Sequence, residues 1–462
     1  MLQVKKVRVG IVVCMLLIMM LFMKTMTINL GQPFFHSITV TRFTEGLDAP
    51  ARVSDDFELE GGVFGSDGLL KELSTMIHVS LIHSFSPDTE KHFREMMVDP
   101  VRNEHRIYAN SPAILQLKSG EVITVMRVWL EKEIWDLTKQ SPHNTFSDNY
   151  FYIQRFDRQM KPITTGRILG IATPIQWSIG DGPIEPRIFT VNDTIYLTFN
   201  TGIFTETRKT IDSTFVWDLT SNKAIMPKIY GGQPMVDNKQ DGSMPRDKHW
   251  AALVKGPKLF FTYNLDPLRV IDCGIHNSSM DCTFVHKEGA ESYTFKDQRD
   301  GLRGGTPFVL YKYPYYISVA HGTYFRDCRD ADSRCNGRRY YTTHIILMTI
   351  EPDFKIVYVS GNIAFPEESF QIPLVRYRFI ESSFFFPVGL ILENADSLVL
   401  GGHINDHSSV LYRISNISSV MKQVIELDQL ASDNQGPALG VFQDYTRLMA
   451  EKFSGMKFQS GQ

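Results

Sequence analysis

The sequence predicts an all-β fold, a five-bladed β-propeller that follows an N-terminal membrane anchor and stem. A unit of two apolar strands joined by a turn, with polar residues at both ends, occurs five times at intervals of roughly 55 to 80 residues. Aromatic residues form 12% of the 462-residue chain, and Gly and Pro recur between the apolar runs, as strands and turns require. A two-sheet sandwich followed by a second domain is the alternative, because strand count alone does not exclude it.

The five units align when their central turns are superposed. They read NSPAILQLKSGEVITVMR from Asn110, EPRIFTVNDTIYLTFN from Glu185, KHWAALVKGPKLFFTYNLDP from Lys248, RGGTPFVLYKYPYYISVAH from Arg303 and FPVGLILENADSLVLGGHIND from Phe386. In a propeller the first strand of each blade lies along the central axis and the second strand returns to the same face. The polar residues at the hairpin ends are therefore expected to line one funnel: Asn110, Arg127, Asp181, Glu185, Arg187, Lys248, His249, Asp266, Arg303, His321, His403, Asn405 and Asp406.

The N-terminus carries an apolar run over residues 9–23 that predicts a membrane anchor. Lys5, Lys6 and Arg8 precede the run, and Lys24 closes it. The run is short for a span of about 20 residues, but no small-x-small cleavage site follows it, so an uncleaved signal anchor is predicted. The positive-inside rule then leaves residues 1–8 in the cytosol and the body in the lumen of the Golgi or another secretory compartment. A cleaved signal peptide is the alternative.

Three further segments are predicted. Residues 24–104 form a stem and an element that packs against the main domain, residues 105–430 form the propeller, and residues 431–462 form a C-terminal extension.

Cysteines and glycosylation sequons agree with a lumenal body. The four cysteines outside the apolar run permit three connectivities, of which short-range pairing is the simplest: Cys273 with Cys282, and Cys328 with Cys335. A zinc site is the alternative, but the spacing contains no Cys-x-x-Cys pair. Three Asn-x-Ser/Thr sequons are usable only in a lumen: Asn192, Asn277 and Asn416. Together these features predict a glycosylated type II membrane protein.

The charge balance argues against a nucleic-acid partner, and the place of the Asp-x-Asp sequence argues against a bound metal. A net charge of −3 with 21% charged residues lacks the clustered basic surface that a nucleic acid requires. Asp330 and Asp332 form an Asp-x-Asp sequence of the kind that holds a divalent cation. The pair lies between Cys328 and Cys335, away from the hairpin ends, so a solvated loop is predicted and no metal or other cofactor is expected.

Several motifs resemble those of one family. The segment RGGTP at residues 303–307 is similar to the Arg-x-Gly-Gly-Thr-Pro motif of the β-mannoside phosphorylases and hydrolases of glycoside hydrolase family 130 and of the related β-mannosyltransferases of fungi and protozoan parasites. Glu185-Pro186-Arg187 resembles their Glu-Asp-Pro-Arg, and Lys248-His249-Trp250 resembles their Lys-Asn-Trp. FPVGL followed by GGHIND resembles their last blade, and the similarity covers about residues 105–420.

The resemblance implies roles for residues of the funnel. Glu185 occupies the place of the family's catalytic Asp, with Ile184 in place of the preceding Glu, so the acid has one more methylene of reach. Arg187 would orient this carboxylate or contact substrate. The cationic subsite for a phosphate would comprise Lys248, Arg303 and His321, and the residues for sugar hydroxyls would be Asp266, Asn405 and Asp406.

These features predict a lumenal glycosyltransferase. It would transfer mannose, in β linkage, to a glycan acceptor from an activated donor such as GDP-mannose or mannose 1-phosphate, with Glu185 as base. The alternatives are a β-mannoside hydrolase or phosphorylase and a catalytically silent glycan-binding propeller. An inverting hydrolase would need a second carboxylate roughly 6.5 to 9.5 Å from Glu185, which Asp266 or Asp406 could supply.

Overall fold

The computed structural model describes residues 57–58, 77–97, 106–136, 141–170, 182–204, 210–231, 249–276, 279–288, 301–325, 339–371 and 383–430. All of them belong to one unit of the chain, Thr39–Gln462. The sequence-based predictions for the anchor at residues 9–23, the extension at residues 431–462 and four sites lie outside the described residues: Asn277, Cys328, Cys335 and the Asp330–Asp332 pair. In the ranges that are described, no helix has the length and apolar character needed to cross a membrane.

The described residues form five sheets, of which four are each built from one consecutive stretch of strands. Before the first of them come β1 (Phe57–Glu58), β2 (His78–Ser84) and α1 (Ser86–Met96). Blade one contains β3 (Arg106–Gln116), β4 (Val122–Asp136), β5 (Ser141–Phe156) and β6 (Arg167–Leu169). Blade two contains β7 (Ile184–Val191), β8 (Thr194–Phe204), β9 (Thr210–Asp218) and β10 (Lys223–Ile225).

The last three blades vary this pattern. Blade three contains β11 (Lys228–Tyr230), β12 (Ala251–Lys255), β13 (Lys258–Leu265), β14 (Leu268–His276) and β15 (Ser279–Lys287), with β11 parallel to β15 at its outer edge. Blade four contains β16 (Gly301–Arg303), β17 (Val309–Lys312), β18 (Tyr315–Phe325), β19 (Arg339–Thr349) and β20 (Lys355–Val359), and a short 3₁₀ helix follows at Glu367–Gln371. Blade five contains β21 (Phe385–Asn394), β22 (Ser397–Ile404) and β23 (Ser408–Ser415), and the helix α2 (Ile417–Leu430) follows it. The predicted five-bladed β-propeller is confirmed.

The segment before blade one closes the ring of blades. β2 pairs antiparallel with β23, from His78 opposite Ser415 to Ser84 opposite Val410, so blade five takes its outer strands from the start of the propeller. The backbone N–H of Phe85 then donates to the Ser409 carbonyl at 3.0 Å. On the inner side, β3 packs against β21 of blade five and β7 of blade two. Pairing the outer edge of the last blade with an early strand leaves less open sheet edge.

The core lies between the blades. Every residue of β22 is buried, because neighbouring blades cover both faces of the sheet, and the strand is accordingly apolar or small in its middle, from Leu398 to Gly402. Blades four and five share one cluster that includes Ile317, Leu347, Leu398 and Leu400. Burial of each such side chain contributes about 1.5–3 kcal/mol, so the packing between blades is a main source of stability.

Turns at the outer ends of the hairpins have local causes. Asn192 and Asp193 join β7 to β8 with φ values of 48° and 62°, the two positive angles of a type I′ turn, which Asn and Asp tolerate. The Asn192 sequon is exposed there. Blade three contains a disulfide between Cys273 and Cys282, which are opposite each other on β14 and β15 with a Cα–Cα distance of 4.1 Å.

Candidate functional site

Strand register places the polar ends of the hairpins at one end of the blades. Asn110 is opposite Arg127 in blade one, Arg303 is opposite His321 in blade four, and Phe386 is opposite His403 in blade five. These ends also touch between blades. The side-chain amide of Asn110 donates to the Asp406 carbonyl at 2.6 Å, which links blades one and five. We refer to this convergence of hairpin ends as the funnel.

Glu185 lies in a β-bulge at the funnel end of β7. Ile184 pairs with Asn200 and the next pair is Arg187 with Thr198, so Glu185 and Pro186 together face one residue of β8. Glu185 has a φ of 54°, in the left-handed region that a residue with a side chain enters only at a cost. A bulge interrupts the alternation of side chains and accommodates a proline that lacks an N–H group.

The bulge recurs in blade one, and a left-handed residue recurs at the start of blade three. In blade one the register shifts between Asn110 and Ala113, and Ser111, with a φ of 54°, precedes a proline as Glu185 does. At the start of blade three, His249 has a φ of 73° and lies two residues before β12, which begins at Ala251. Ser111, Glu185 and His249 therefore occupy related positions in three successive blades.

The Glu185 carboxylate faces two nitrogen groups. Its Oε2 atom lies 3.8 Å from Nη1 of Arg187 and 3.3 Å from Nδ1 of His249. Arg187 is 2% exposed, whereas Glu185 and His249 are 14% and 11% exposed, so these two side chains are the more accessible members of the group, although Glu185 Oε2 and His249 Nδ1 themselves are buried. The acid therefore combines limited solvent access with a cation and a proton-carrying ring, the surroundings of a general acid or base.

Arg187 connects blades that are not neighbours. Its Nε donates to the Gly305 carbonyl of blade four, and its Nη1 donates to the Glu185 carbonyl at 3.3 Å. Burial lowers the pKa of the Arg187 guanidinium, and the Glu185 charge beside it opposes that shift. Its Nη2 atom is buried and has no hydrogen-bond partner among the described residues. The buried arginine holds Glu185 in place.

Imidazole and phenyl rings form one wall of the funnel. The ring centroids of His249 and His321 are 4.9 Å apart, those of His321 and Phe386 are 4.3 Å apart, and Phe386 stacks on His403 at 5.1 Å. Burial, with a smaller contribution from the nearby Arg127 charge, lowers the pKa of His403 to about 3, so the ring is neutral at physiological pH. Its Nδ1 lies 3.4 Å from Oδ1 of Asp406. Neutral imidazole can both donate and accept hydrogen bonds, as recognition of hydroxyl groups requires.

Other predicted residues hold the funnel together. Arg127 donates from Nε to Oδ1 of Asn149 at 2.7 Å, and its guanidinium lies over the Trp129 ring, 4.1 Å from the centroid. The amide of Asn405 accepts from the Phe384 N–H at 2.9 Å and donates to Oγ of Ser383 at 3.2 Å, which fixes the end of β22.

The structure thus brings most of the predicted set together. One group makes the contacts given above: Asn110, Arg127, Glu185, Arg187, His249, His321, His403 and Asp406. Arg303 is placed by its pairing with His321, and Asn405 directly precedes Asp406. Asp266 lies in the turn between β13 and β14, where its carbonyl accepts from Asn264 at 2.7 Å. Asp181 and Lys248 lie outside the described residues.

Sequence reasoning missed three contributors. Phe386 reads as the apolar start of a strand, yet its ring lies between those of His321 and His403. Gly304 is required by a close approach, because a Cβ there would lie 1.9 Å from the His249 carbonyl oxygen. Ser111 was not predicted. The signal that could have identified it is the match between Ser111-Pro112 in blade one and Glu185-Pro186 in blade two. Across the residues with described positions, no cluster of His, Cys, Asp or Glu has the arrangement of a metal site.

Comparison with known proteins finds similarity of structure alone. No protein-family profile matches the chain, and no curated protein sequence matches it. A β-1,2-mannobiose phosphorylase from Listeria innocua, solved with β-1,2-mannobiose, aligns with a TM-score of 0.43 and 11% identity over 71% of this chain and 95% of that chain. A mannose phosphorylase from Leishmania mexicana, solved with phosphate, aligns with a TM-score of 0.36 and 12% identity over 70% and 87%.

A GDP-Man-dependent mannosyltransferase from Leishmania mexicana aligns with a TM-score of 0.35 and 11% identity over 71% of this chain and 93% of that chain. At these identities and TM-scores the similarities assign no activity to this chain.

Proposed function

We propose that this protein is a lumenal glycosyltransferase that transfers mannose, in β linkage, from an activated donor to a glycan acceptor. The observation that carries the proposal is the position of the Glu185 carboxylate, partly open to the funnel and within 3.3 Å of His249 and 3.8 Å of Arg187. A carboxylate held in a strained backbone by a buried cation is costly to maintain, and such costs are typical of functional sites.

The proposed reaction uses Glu185 as a general base. Glu185 takes the proton of the acceptor hydroxyl as that oxygen forms a bond to the anomeric carbon of mannose and the bond from that carbon to the donor phosphate oxygen breaks. The leaving phosphate is anionic, so cations at the funnel stabilise its departure. Lys248 and Arg303 are the residues that the sequence resemblance suggests for this role, and the neutral His403 together with Asp406 would bind sugar hydroxyls.

The donor and the reaction type are tested together. Full-length protein is incubated with GDP-mannose, with mannose 1-phosphate, and with β-mannosides in the presence and absence of phosphate. We expect transfer of mannose to a glycan acceptor by the wild type and a loss of at least about 100-fold in Glu185→Gln, because the amide cannot accept the proton. Glu351→Gln is the matched control, since Glu351 pairs with Lys255 at the surface of the protein.

Three outcomes would contradict the proposal. Phosphate-dependent cleavage of β-mannosides that requires Glu185 would show a phosphorylase, and cleavage by water would show a hydrolase. Binding of glycans without turnover of any of these substrates would show a catalytically silent propeller.

The cellular location is proposed from the sequence. We propose that residues 9–23 anchor the chain in a Golgi or other secretory-pathway membrane with the propeller in the lumen. Protease protection of the propeller in intact vesicles, together with glycosidase-sensitive mass at Asn192 and Asn416, is the expected result. Digestion of the propeller in intact vesicles would show that it faces the cytosol and would contradict the proposed topology.

A further inference from the structure

A cavity lies on the flank of blade one, outside the funnel. Its volume is about 500 Å³, within the range of sites that bind small molecules. We call it the flank pocket, and its main polar lining comes from α1 and the end of β2 on one side and from β5 and the loop after it on the other: His83, Asp88, His92, Tyr152, Gln154 and Thr164. It shares no residue with the funnel group.

Aromatic rings give the flank pocket an apolar wall. Phe85 and Phe156 are both buried, and their rings meet edge to face with centroids 5.3 Å apart. The His83 ring packs on the Phe85 ring at 4.7 Å. Such packing fixes the orientation of the rings, which therefore provide a rigid apolar surface for the flat face of a ligand.

The polar groups of the pocket are held in place by contacts to each other. Nδ1 of His92 and the Tyr152 hydroxyl are 2.6 Å apart, which joins α1 to β5 across the pocket. The side-chain amide of Gln154 donates to the Thr164 carbonyl at 3.1 Å. Gly166 allows this arrangement, because a Cβ at that position would lie 1.9 Å from the Tyr152 hydroxyl oxygen. Groups arranged in this way are ready to bind without reordering.

The charge of the pocket lining favours some classes of ligand over others. Burial lowers the pKa of His83, and burial, aided by the Asp88 charge, raises the pKa of Tyr152 to about 12, so both side chains are neutral at physiological pH. The lining residues, all of which the structure describes, include no Lys or Arg, and Asp88 at the exposed rim supplies a carboxylate. A phosphate or carboxylate ligand would find no Lys or Arg there, whereas hydroxyl groups would find both acceptors and donors.

We propose that the flank pocket binds a neutral saccharide. An uncharged sugar ring presents many hydroxyls and an apolar face, which match the neutral polar groups and the aromatic wall of this cavity. A lipid chain would cover the remaining donor and acceptor capacity of the imidazole, phenol and amide groups without supplying partners for it, which is unfavourable. The site would hold a glycan on the side of the propeller, and this proposal does not depend on the reaction in the funnel.

Ligand titration of the full-length protein tests the proposal. Saturation-transfer NMR and calorimetry with mannose, mannobiose, glucose and xylose measure binding, and inorganic phosphate and putrescine serve as anionic and cationic probes. We expect at least one neutral saccharide to bind, and we expect Asp88→Asn and Tyr152→Phe each to weaken that binding about tenfold, the effect of one lost hydrogen bond. Tyr230→Phe on β11 is the matched control, because that tyrosine is exposed and lies in blade three.

The variants separate the two sites. Asp88→Asn changes an exposed side chain and keeps its size, so it decides the question even where Tyr152→Phe fails to fold, which melting curves would reveal. If the funnel is active, turnover with small soluble substrates is expected to be unchanged in Asp88→Asn; if the funnel is inactive, the binding assay still decides. Saccharide affinity that is the same in wild type, Asp88→Asn and Tyr152→Phe would overturn the proposal, as would an absence of saccharide binding or a preference for putrescine or phosphate that the same variants abolish.

Discussion

The Glu185 carboxylate lies 3.3 Å from Nδ1 of His249, and both residues have left-handed backbone angles, with φ values of 54° and 73°. The two residues belong to successive blades, so the contact depends on the packing of one blade against the next. Two strained residues whose side chains meet keep this backbone conformation only if the surrounding structure holds it. Gly304 helps to hold it, because its lack of a side chain allows close approach to the His249 carbonyl. Substitutions at Glu185 and His249 therefore give the most direct test of the proposed site.

Replacement of His249 by alanine tests its role as a positioning residue. We expect the kcat of the transfer reaction to fall about 10- to 100-fold with a smaller change in KM, because the carboxylate loses the group that orients it. His249→Gln, which keeps a polar group near Glu185, is expected to recover part of that loss. His276→Ala is the control, since His276 is exposed at the end of β14. Equal effects on kcat from both alanine variants would exclude a specific role for His249.

Replacement of Arg187 by lysine tests whether the buried guanidinium holds the blades together. Lysine keeps the charge but lacks the fork that reaches the carbonyls of Gly305 and Glu185, so we expect the free energy of unfolding to fall by about 2–4 kcal/mol. Urea denaturation measures this change. Arg167→Lys is the control, because Arg167 is exposed on β6, the outer strand of blade one, and we expect a loss of about 1 kcal/mol or less. A larger loss in the control would contradict the central role of Arg187.

Glu90 on α1 predicts a specific pH dependence of stability. Burial raises the pKa of its carboxyl from 4.5 to about 7, although the bond from the Ala109 N–H and the nearby Arg94 charge oppose the shift. A raised carboxyl pKa in the folded state favours the protonated form, so its contribution to stability is complete below pH 4.5 and is lost as the pH rises through about 7.

Glu90→Gln removes this titration and keeps an oxygen that can accept from Ala109. We expect the variant to match the wild type at low pH and to be more stable above pH 7, by on the order of 1–3 kcal/mol before solvent screening reduces the difference. Melting temperatures across this pH range measure it. Glu95→Gln on the exposed side of α1 is the control. If wild type and Glu90→Gln have parallel pH profiles, the raised pKa is wrong.

Much of the site could be predicted because hairpin ends carry a local signature. Polar residues such as Asn110 and Arg127 bracket an apolar hairpin, and antiparallel pairing must place the two ends of a hairpin side by side. The resemblance in RGGTP pointed to Arg303, and the second glycine of that motif accepts the hydrogen bond from Arg187. Phe386 could not be found in this way, because an apolar residue at a strand start usually belongs to the core.

The sequence by itself determined the five hairpins, their turns and the polar residues at their ends. These are local properties, since alternation of apolar runs and turn residues such as Asn192 and Asp193 depends on neighbours along the chain. The tertiary structure alone decided that Arg187 of blade two reaches Gly305 of blade four, that β2 completes blade five, and that α1 encloses a cavity on blade one. Such contacts join residues up to hundreds of positions apart, and they follow from how blades pack and close into a ring, which no local pattern encodes.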